Sequence, residues 1–413
     1  MNLIDLTITA RSPLAIGQRK PGGSVSEAFD YIPGTVIRGA VAKEILRHSS
    51  EAPQPGDDFH RLFLDETATV FQNAYPAIAR PRPNEYFEAQ GVVDVLPASA
   101  LSSKINSGFQ PRQSGVFDSL IDSFCATAQG HFYVPNDLAG HLVEPFGGFY
   151  SKDEKGYYSH AVSKRLLTRV GINRKRATAQ DEILYSIEVM NESQGKPERV
   201  QTVYRSSALV QGNEAFAQEL HRFLQQHCTN LRVGGSASRG LGKVELTAAK
   251  PVAASSDTIP HRIKAFNDKL SERWRLWAVL NGGEDPTETR SFFTLDLQSD
   301  AILSENWRRT TVVSPAMLAP LVDLSEADIT LHTAYSSYDY RSGWNAAWGL
   351  PKDTELVTKM GGVMLFSIPK EKQSTCENAL AILEKVGIGS RCSEGYGQLK
   401  VCDEFHLVMR ENP

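Results

Sequence analysis

The sequence predicts an α+β fold of two ferredoxin-like (RRM-like) domains, each of which ends in a helix, a glycine-rich loop and a strand. The prediction rests on two similar stretches, "LRVGGSASRGLGKVEL" (231–246) and "VGIGSRCSEGYGQLKV" (386–401). Both contain the spacing G-x5-G-x-G, so that Gly234 aligns with Gly389 without a gap. Because a helical pattern precedes each stretch and a strand pattern follows it, we interpret the two as an internal repeat.

The first domain opens with a strand pattern and continues into a helix. Residues 4–9 alternate apolar and polar side chains, which is typical of a strand with one buried face. In "YIPGTVIRGAVAKEILRH", Pro33 and Gly34 indicate a turn, Thr35 is a candidate helix cap, and apolar residues then recur at helical spacing. A second apolar helix face over 216–224 leads into the first glycine-rich stretch.

Composition marks the domain boundaries. Pro and Gly are frequent at about 50–160, which predicts loops and short strands inserted into the first domain. "AAKPVAASSDTIP" at 248–260 indicates a linker, a helical pattern follows, and a strand pattern restarts over 293–298. We therefore predict an N-terminal domain at 1–250, a linker and helix at 251–290, and a C-terminal domain at 291–413.

The compartment and the cofactor class follow from what the sequence lacks. No apolar run reaches the roughly 18 residues of a membrane helix, and "MNLIDLTITARS" has no signal-peptide pattern, so we expect a cytoplasmic protein without a membrane partner. The five cysteines include no CxxC pair, which argues against a disulfide framework or a zinc ribbon. We expect no cofactor and no metal.

Charge is distributed unevenly. The formal net charge of −4 argues against a nucleic-acid partner, because phosphate contacts need a positive surface. "KRLLTRVGINRKR" at 164–176, however, carries six cations and no acid. A phosphate-binding surface and a solvated charged face are both consistent with this run.

The glycine-rich stretches leave two interpretations open. A phosphate-binding P-loop is disfavoured because Leu241, not Lys, follows Gly240, and the dinucleotide spacing GxGxxG is absent. The stretches are then either structural turns or backbone cradles for a polynucleotide, with nearby serines and cations as donors to phosphate. Glu394, at the position of Arg239, weakens the second interpretation for the C-terminal stretch.

Taken together with "YIPGTVIRGA" and "TRVGINRKRATAQDEILYSIEVM", the two glycine-rich stretches resemble the RAMP superfamily of CRISPR-associated proteins. The central motif of that superfamily is matched by Val170, Ile172, Arg174, Thr178, Ala179, Leu184 and Glu188, and Asn173 stands where Asp is commoner. "SGWNAAWGLPKDTELVTKMGGVMLF" is similar to the Cas-five-like subunits of type III complexes, particularly the Csx-ten family of type III-D.

The resemblance implies two RAMP domains and a role in a ribonucleoprotein. Subunits of that kind hold the 5′ handle of the guide RNA and contact the large Cas-ten subunit and Cas-seven-like backbone subunits. We therefore expect a non-catalytic RNA-binding subunit of a type III-D effector complex, acting in antiviral RNA targeting with guide RNA and target RNA as partners. The alternatives are a RAMP endoribonuclease and a protein-binding scaffold.

The residues expected to contact RNA combine cations, aromatic side chains and loop donors. They are Arg38, Arg169, Arg174, Lys175, Arg176, Gly234, Gly235, Ser236, Ser238, Arg239, Lys243, Trp344, Lys352, Gly389, Arg391 and Ser393. We expect no catalytic residue. Asp30 is the candidate if the chain cleaves RNA, with His48 and His60 as candidates for guide processing; ordinary loop or solvated residues are the alternative for all three.

Overall fold

The computed structural model describes residues 1–18, 27–65, 68–82, 85–110, 113–173, 178–195, 199–255, 258–345 and 349–410. The chain divides into two compact units. The first unit contains 1–93, 160–253 and 340–355, and the second contains 94–159, 254–339 and 356–413. This division differs from the sequence-based boundaries, because residues 94–159 group with the second unit and residues 340–355 group with the first.

The described ranges contain seven α-helices. Three belong to the first unit: α1 (Gly34–His48), α2 (Asp58–Phe63) and α4 (Glu214–Gln226). Four belong to the second unit: α3 (Leu120–Ala128), α5 (Thr258–Asn281), α6 (Pro315–Val322) and α7 (Gln373–Val386). Within these ranges, no helix is both long enough and apolar enough to span a membrane.

The first unit is built on an antiparallel sheet with α1 and α4 in its connections. Its strands lie in the order Val244–Ala248, Asn2–Ala10, Val203–Val210 and Thr69–Phe71. Val252–Ala253 and Tyr75–Pro76 extend it at the side. Ile4, Leu6 and Ile8 are buried, as the alternation predicts.

The second unit has a sheet of matching order and direction. Its strands are Leu399–Val401, Arg290–Leu297, Val363–Pro369 and Thr330–Tyr335, all antiparallel. The strand Arg290–Leu297 is buried on both faces, whereas the alternation of its side chains predicts only one buried face. Asp296 on the second face is held by a buried hydrogen bond from His406 at 2.8 Å.

Further strands complete both units, most of them short. In the first unit they are Gly17–Gln18, Glu27–Ala28, Ile78–Arg82, Glu85–Glu88, Lys164–Asn173, Thr178–Met190, Ser193–Gln194, Val200–Gln201, Trp344–Asn345 and Leu350–Pro351. In the second unit they are Asp94–Val95, Ala100–Ser103, Val116–Asp118, Val143–Pro145, Phe149–Asp153, Leu303–Glu305 and Arg308–Thr310. Gly156–His160, Tyr338–Arg341 and Glu355–Thr358 include chain boundaries of the units.

The starts of α4 and α1 are capped by residues at different distances along the chain. Asn213 caps α4 by accepting from the Phe216 N–H, as Asn does at many helix starts. The predicted cap of α1 was wrong: Thr35 lies inside the helix, and Asn73 accepts from the Gly34 N–H at 2.8 Å instead.

Candidate nucleic-acid interface

The two glycine-rich loops, defined here as 231–242 and 386–397, have the same backbone. Each contains a short 3₁₀ turn that follows a residue in left-handed conformation, Ser236 in the first loop and Arg391 in the second. The N–H of Val233 donates to the Gly242 carbonyl at 2.9 Å, and the N–H of Ile388 donates to Gly397 at 2.8 Å. The sequence repeat is therefore a structural repeat.

Each loop is anchored to the segment that follows a central strand of its sheet. That strand is Asn2–Ala10 in the first unit and Arg290–Leu297 in the second. Gly235 donates to the Ala15 carbonyl at 2.8 Å and Gly242 donates to Pro13 at 2.9 Å. In the second unit, the Ser390 N–H donates to Ile302 at 3.0 Å and the Gly397 N–H donates to Asp300 at 2.9 Å. A Cβ on Gly234 would stand 2.5 Å from the Ala15 carbonyl oxygen, and one on Gly389 would stand 2.4 Å from that of Ile302. These glycines are required by backbone packing.

The surfaces of the two loops differ. Most of the first loop is exposed, including Gly234, Gly235, Ser238 and Arg239, and Lys243 beyond it is exposed too. In the second loop, the guanidinium of Arg391 pairs with Glu394 at 2.5 Å, and Ser393 is buried. Only the first loop therefore offers solvent-facing cations, which agrees with the doubt that Glu394 raised about the second.

A long antiparallel hairpin, formed by Lys164–Asn173 and Thr178–Met190, packs against the first loop. Leu167 and Ile187 on one face of this hairpin pack against the small core of Ala15, Val189 and Leu241. The hairpin base and the first loop thus share a hydrophobic contact, which fixes one relative to the other.

Arg169 and Tyr185 lie opposite each other on the two strands of the hairpin. They follow the pair Leu167 and Ile187 on the same face. The Arg239 guanidinium of the first loop donates to the Tyr185 hydroxyl and lies 5.5 Å from the ring centroid. Directly opposite residues of an antiparallel pair have neighbouring side chains, so Arg169 joins this group. Two guanidinium groups and an aromatic ring are therefore assembled at one point, the combination that binds single-stranded RNA.

The backbone of the first loop adds donors. Among the described residues, the N–H groups of Ser236, Ala237 and Ser238 have no hydrogen-bond partner. Successive N–H groups around a left-handed residue form a concave anion site. The first loop can therefore contribute both main-chain and side-chain donors to a phosphate.

Asp30 is engaged in an ion pair. Its carboxylate lies 2.7 Å from the Lys164 Nζ, which also donates to the Ala28 carbonyl at 2.6 Å. Glu188 accepts from the Ala28 N–H at 2.6 Å. Lys164 and Glu188 therefore act together to hold the segment before α1 against the base of the hairpin.

The candidate catalytic residues are far apart along α1. Asp30 precedes the helix and His48 ends it, and a helix of 15 residues is about 22 Å long. His60 lies on α2, where its backbone N–H donates to the capping carboxylate of Asp57 at 2.6 Å. Asp30 and His48 are therefore not placed to act on one scissile bond.

Arg38 is half-buried and faces the protein. It lies in the second turn of α1, and its guanidinium donates to the Phe63 carbonyl and packs near the Phe63 ring. This geometry stabilises the contact between α1 and α2.

The segment 340–355 carries the remaining predicted contacts. Arg341 is buried, with its guanidinium 5.5 Å from the Phe29 ring centroid. Trp344 is half exposed on a small hairpin, and the Lys352 N–H donates to the Gly343 carbonyl at 2.8 Å. Arg174, Lys175 and Arg176 lie outside the described residues, as does Trp348.

Two residues with suitable chemistry were missed from the sequence. Tyr185 was not predicted as an RNA contact, because no local sequence pattern identifies Arg239, 54 positions away, as its partner. Trp307 is fully exposed at the tip of the hairpin Leu303–Glu305/Arg308–Thr310, in the left-handed conformation, and is followed by exposed Arg308 and Arg309. The available signal was the run "NWRR" at 306–309, which puts a tryptophan next to two arginines.

These features define an α+β protein whose antiparallel sheets carry repeated glycine-rich loops, one of them cationic. The model of the family described as RAMP superfamily matches residues 7–245. The chain belongs to the RAMP superfamily. The family match covers more than half of the chain, and the internal repeat extends the same loop geometry to the remainder.

Solved structures give more distant likenesses. A chain of the Type III-B Cmr-beta bound to cognate target RNA is 12% identical, with a TM-score of 0.40 and 96% of each chain covered. A chain of the same assembly bound to cognate target RNA and AMPPnP is 11% identical, with a TM-score of 0.38, over 91% of this chain and 88% of that one. The oligomeric Cmr4 of Pyrococcus furiosus is 11% identical, with a TM-score of 0.28, over 60% and 99%. No curated protein matches the chain.

Proposed function

We propose that the chain is a non-catalytic RNA-binding subunit of a type III CRISPR effector complex that acts in the cytoplasm. Within that class, we propose a Cas-five-like subunit of the type III-D kind, related to the Csx-ten family, which holds the 5′ handle of the guide RNA. Membership of the RAMP superfamily supports the wider proposal. The resemblance of the stretch around Trp344 supports the finer one.

The observation that carries the proposal is the group formed by Arg239, Tyr185 and Arg169 beside the exposed first loop. Cations hold the backbone of a single strand and aromatic rings stack on its bases. The N–H groups of the loop supply further donors to phosphate. The net charge of −4 is consistent with a local binding surface that partner subunits complete.

We also propose that each unit is a ferredoxin-like RAMP domain. If the four main strands of each sheet are numbered in chain order, strand 4 lies beside strand 1, followed by strand 3 and strand 2. A helix precedes strand 2 and another precedes strand 4. The βαββαβ connection with this order is that of the ferredoxin-like fold. On this proposal, the two glycine-rich loops occupy equivalent positions.

A surface for a protein partner is supported by the loop 131–142 of the second unit. Phe132, Val134, Leu138 and Leu142 are all largely exposed there. Clustered apolar side chains on a surface favour protein contacts. We propose that this loop faces another subunit, either the large Cas-ten subunit or a Cas-seven-like backbone subunit.

The test is to co-express the chain with its neighbouring genes, purify the assembly through a tag on this chain, and sequence the RNA that co-purifies. The proposal predicts RNAs that share one repeat-derived 5′ end. A complex without RNA, recovered intact, would instead favour the protein-binding scaffold.

Cleavage by the purified chain would support the endoribonuclease alternative. Incubation of labelled repeat RNA with the chain, with Mg²⁺ and with EDTA, should leave the RNA intact. If RNA is cut, Asp30→Asn, His48→Gln and His60→Gln separate the three candidate residues, and loss of cleavage in any one of these variants would replace the non-catalytic proposal.

A further inference from the structure

The C-terminal ends of α1 and α4 bring together one carboxylate and two imidazoles. Glu44 and His48 lie one turn apart on α1, and His227 is the residue that ends α4. One ligand atom from each side chain lies within 4.8 Å of those of the other two. We propose that Glu44, His48 and His227 bind a divalent transition-metal ion with the ligand preference of Zn²⁺.

Glu44 is the strongest indication of a ligand. Its side chain is only 7% exposed, and among the described residues its Oε1 has no hydrogen-bond donor. This oxygen lies 3.6 Å from the His48 Nδ1 and 4.0 Å from the His227 Nδ1. A buried carboxylate oxygen without a donor is unfavourable, and a cation held between it and the imidazoles removes that cost.

The ligand set and its spacing fit zinc. Two imidazole nitrogens with one carboxylate oxygen form a known type of zinc site, in which a fourth position is left for water. Bonds of about 2.0–2.2 Å in tetrahedral arrangement place ligand atoms about 3.4 Å apart. The separations of 3.6 and 4.0 Å need only small side-chain movements to reach that value.

The surroundings orient both rings. The Nδ1 of His48 also lies 3.0 Å from the Glu44 carbonyl oxygen. To bind the ion through Nδ1, His48 gives up this contact and carries its ring proton on Nε2. The Asn230 amide lies 3.3 Å from the His227 Nδ1. The ion would replace this amide as the partner of the His227 Nδ1. Arg47 lies 3.8 Å from the Glu44 Oε1, but its side chain is largely exposed and can move into solvent.

The ion would join the ends of two helices that lie far apart in sequence. His227 precedes Leu231, where the first glycine-rich loop begins. A metal bound at this point would fix the start of that loop relative to α1. This inference does not depend on RNA binding, and its test uses no RNA.

The experiment uses the full chain purified without a polyhistidine tag and stripped with EDTA. Titration with Zn²⁺ in a calorimeter should show one equivalent bound, and Co²⁺ should give visible absorption bands of a low-coordinate site. His227→Ala and Glu44→Gln should each weaken Zn²⁺ binding at least tenfold. His60→Gln, which removes a histidine of the same unit outside the cluster, should leave it within twofold of the parent.

Circular dichroism of the metal-free variants checks that they fold. If Glu44→Gln does not fold, His48→Ala replaces it, because the His48 side chain is substantially exposed. Zn²⁺ should also raise the Tm of the parent and not that of His227→Ala. Absence of a one-equivalent site, or equal Zn²⁺ affinity in the parent, His227→Ala and His48→Ala, would overturn the proposal.

Discussion

Arg239 in the first glycine-rich loop donates a hydrogen bond to the Tyr185 hydroxyl and places its guanidinium 5.5 Å from the Tyr185 ring centroid. The two residues are 54 positions apart in the chain. Their contact joins the loop to the long hairpin and gathers charge and an aromatic surface at one exposed place. The RNA-binding role that we propose depends on this arrangement.

Replacement of Arg239 tests that role. Arg239→Ala should weaken binding of single-stranded repeat RNA several-fold and reduce the slope of log K against log salt by about 0.7, because one phosphate contact is lost. Fluorescence anisotropy over a salt series measures both quantities. Arg222→Ala, an exposed arginine on α4, is the matched control. Equal effects of the two variants would show that only overall charge matters.

Glycine substitutions separate close packing from backbone conformation. Gly240 and Gly242 both have a left-handed backbone, with φ of +84° and +79°. A Cβ on Gly240 would meet nothing within 4 Å, but one on Gly242 would stand 2.3 Å from the Val233 carbonyl oxygen. Gly240→Ala should therefore cost about 1–2 kcal/mol in the free energy of unfolding. Gly242→Ala should cost at least about 3 kcal/mol.

Urea unfolding of the two variants measures these costs. Gly397→Ala is expected to behave like Gly242→Ala, because its Cβ would stand 1.9 Å from the Ile388 carbonyl oxygen. Similar stabilities for Gly240→Ala and Gly242→Ala would mean that the loop relaxes freely around the added carbon.

The buried His406 stabilises the second unit. Its Nε2 lies 2.8 Å from Asp296 and its Nδ1 lies 3.2 Å from Asp118. Burial alone would lower its pKa, but the two carboxylates raise the pKa of His406 well above its usual value. Replacing one member of a buried ionic group leaves the others uncompensated, so His406→Gln should destabilise the chain by about 3–5 kcal/mol.

The pH dependence of the free energy of unfolding tests whether His406 is charged in the folded protein. A histidine with a raised folded-state pKa contributes stability that is complete below about pH 6.5 and is lost as pH rises through the folded pKa. The parent should therefore lose stability above that pH by more than His406→Gln does. Parallel losses in both proteins would contradict a charged His406.

His160 has the opposite titration. Burial lowers the pKa of His160 to about 4. Between its unfolded pKa of about 6.5 and that value, the unfolded chain binds the extra proton, so the free energy of unfolding decreases as pH falls. Urea unfolding at pH 7 and pH 5 should show a smaller decrease for His160→Leu than for the parent. An identical decrease would place His160 in contact with water.

Trp307 is expected to bind RNA without supporting the fold. Because its ring is fully exposed, Trp307→Ala should leave the Tm unchanged. If a base stacks on the ring, the variant should lose about 1–3 kcal/mol of binding free energy, as stacking contacts do. Trp344→Ala, from the predicted set, is measured beside it. Unchanged affinity in Trp307→Ala would exclude this tip from the binding surface.

The sequence predicted the features that local spacing encodes. The buried face of α4, with Phe216, Leu220 and Leu224, follows from helical periodicity, and the backbone of both loops follows from the repeated glycines. The difference between Arg239 and Glu394 weakened the phosphate-binding interpretation of the second loop, where the structure pairs Glu394 with Arg391.

Features that depend on distant residues were not predictable in the same way. Asn73 caps α1 from 39 residues away, and no local pattern identifies it. The grouping of 340–355 with the first unit and the meeting of Glu44 with His227 also require the tertiary fold. Spacing identified candidate residues, but burial and pairing decided which of them face solvent.

RNA binding by the first loop is best tested by ultraviolet crosslinking of the assembled complex, followed by identification of the crosslinked peptides and nucleotides. We expect crosslinks between the repeat-derived 5′ end of the guide RNA and peptides that contain Tyr185 or residues 231–242. Crosslinks of that RNA end to other subunits alone, in a complex that retains this chain, would contradict it.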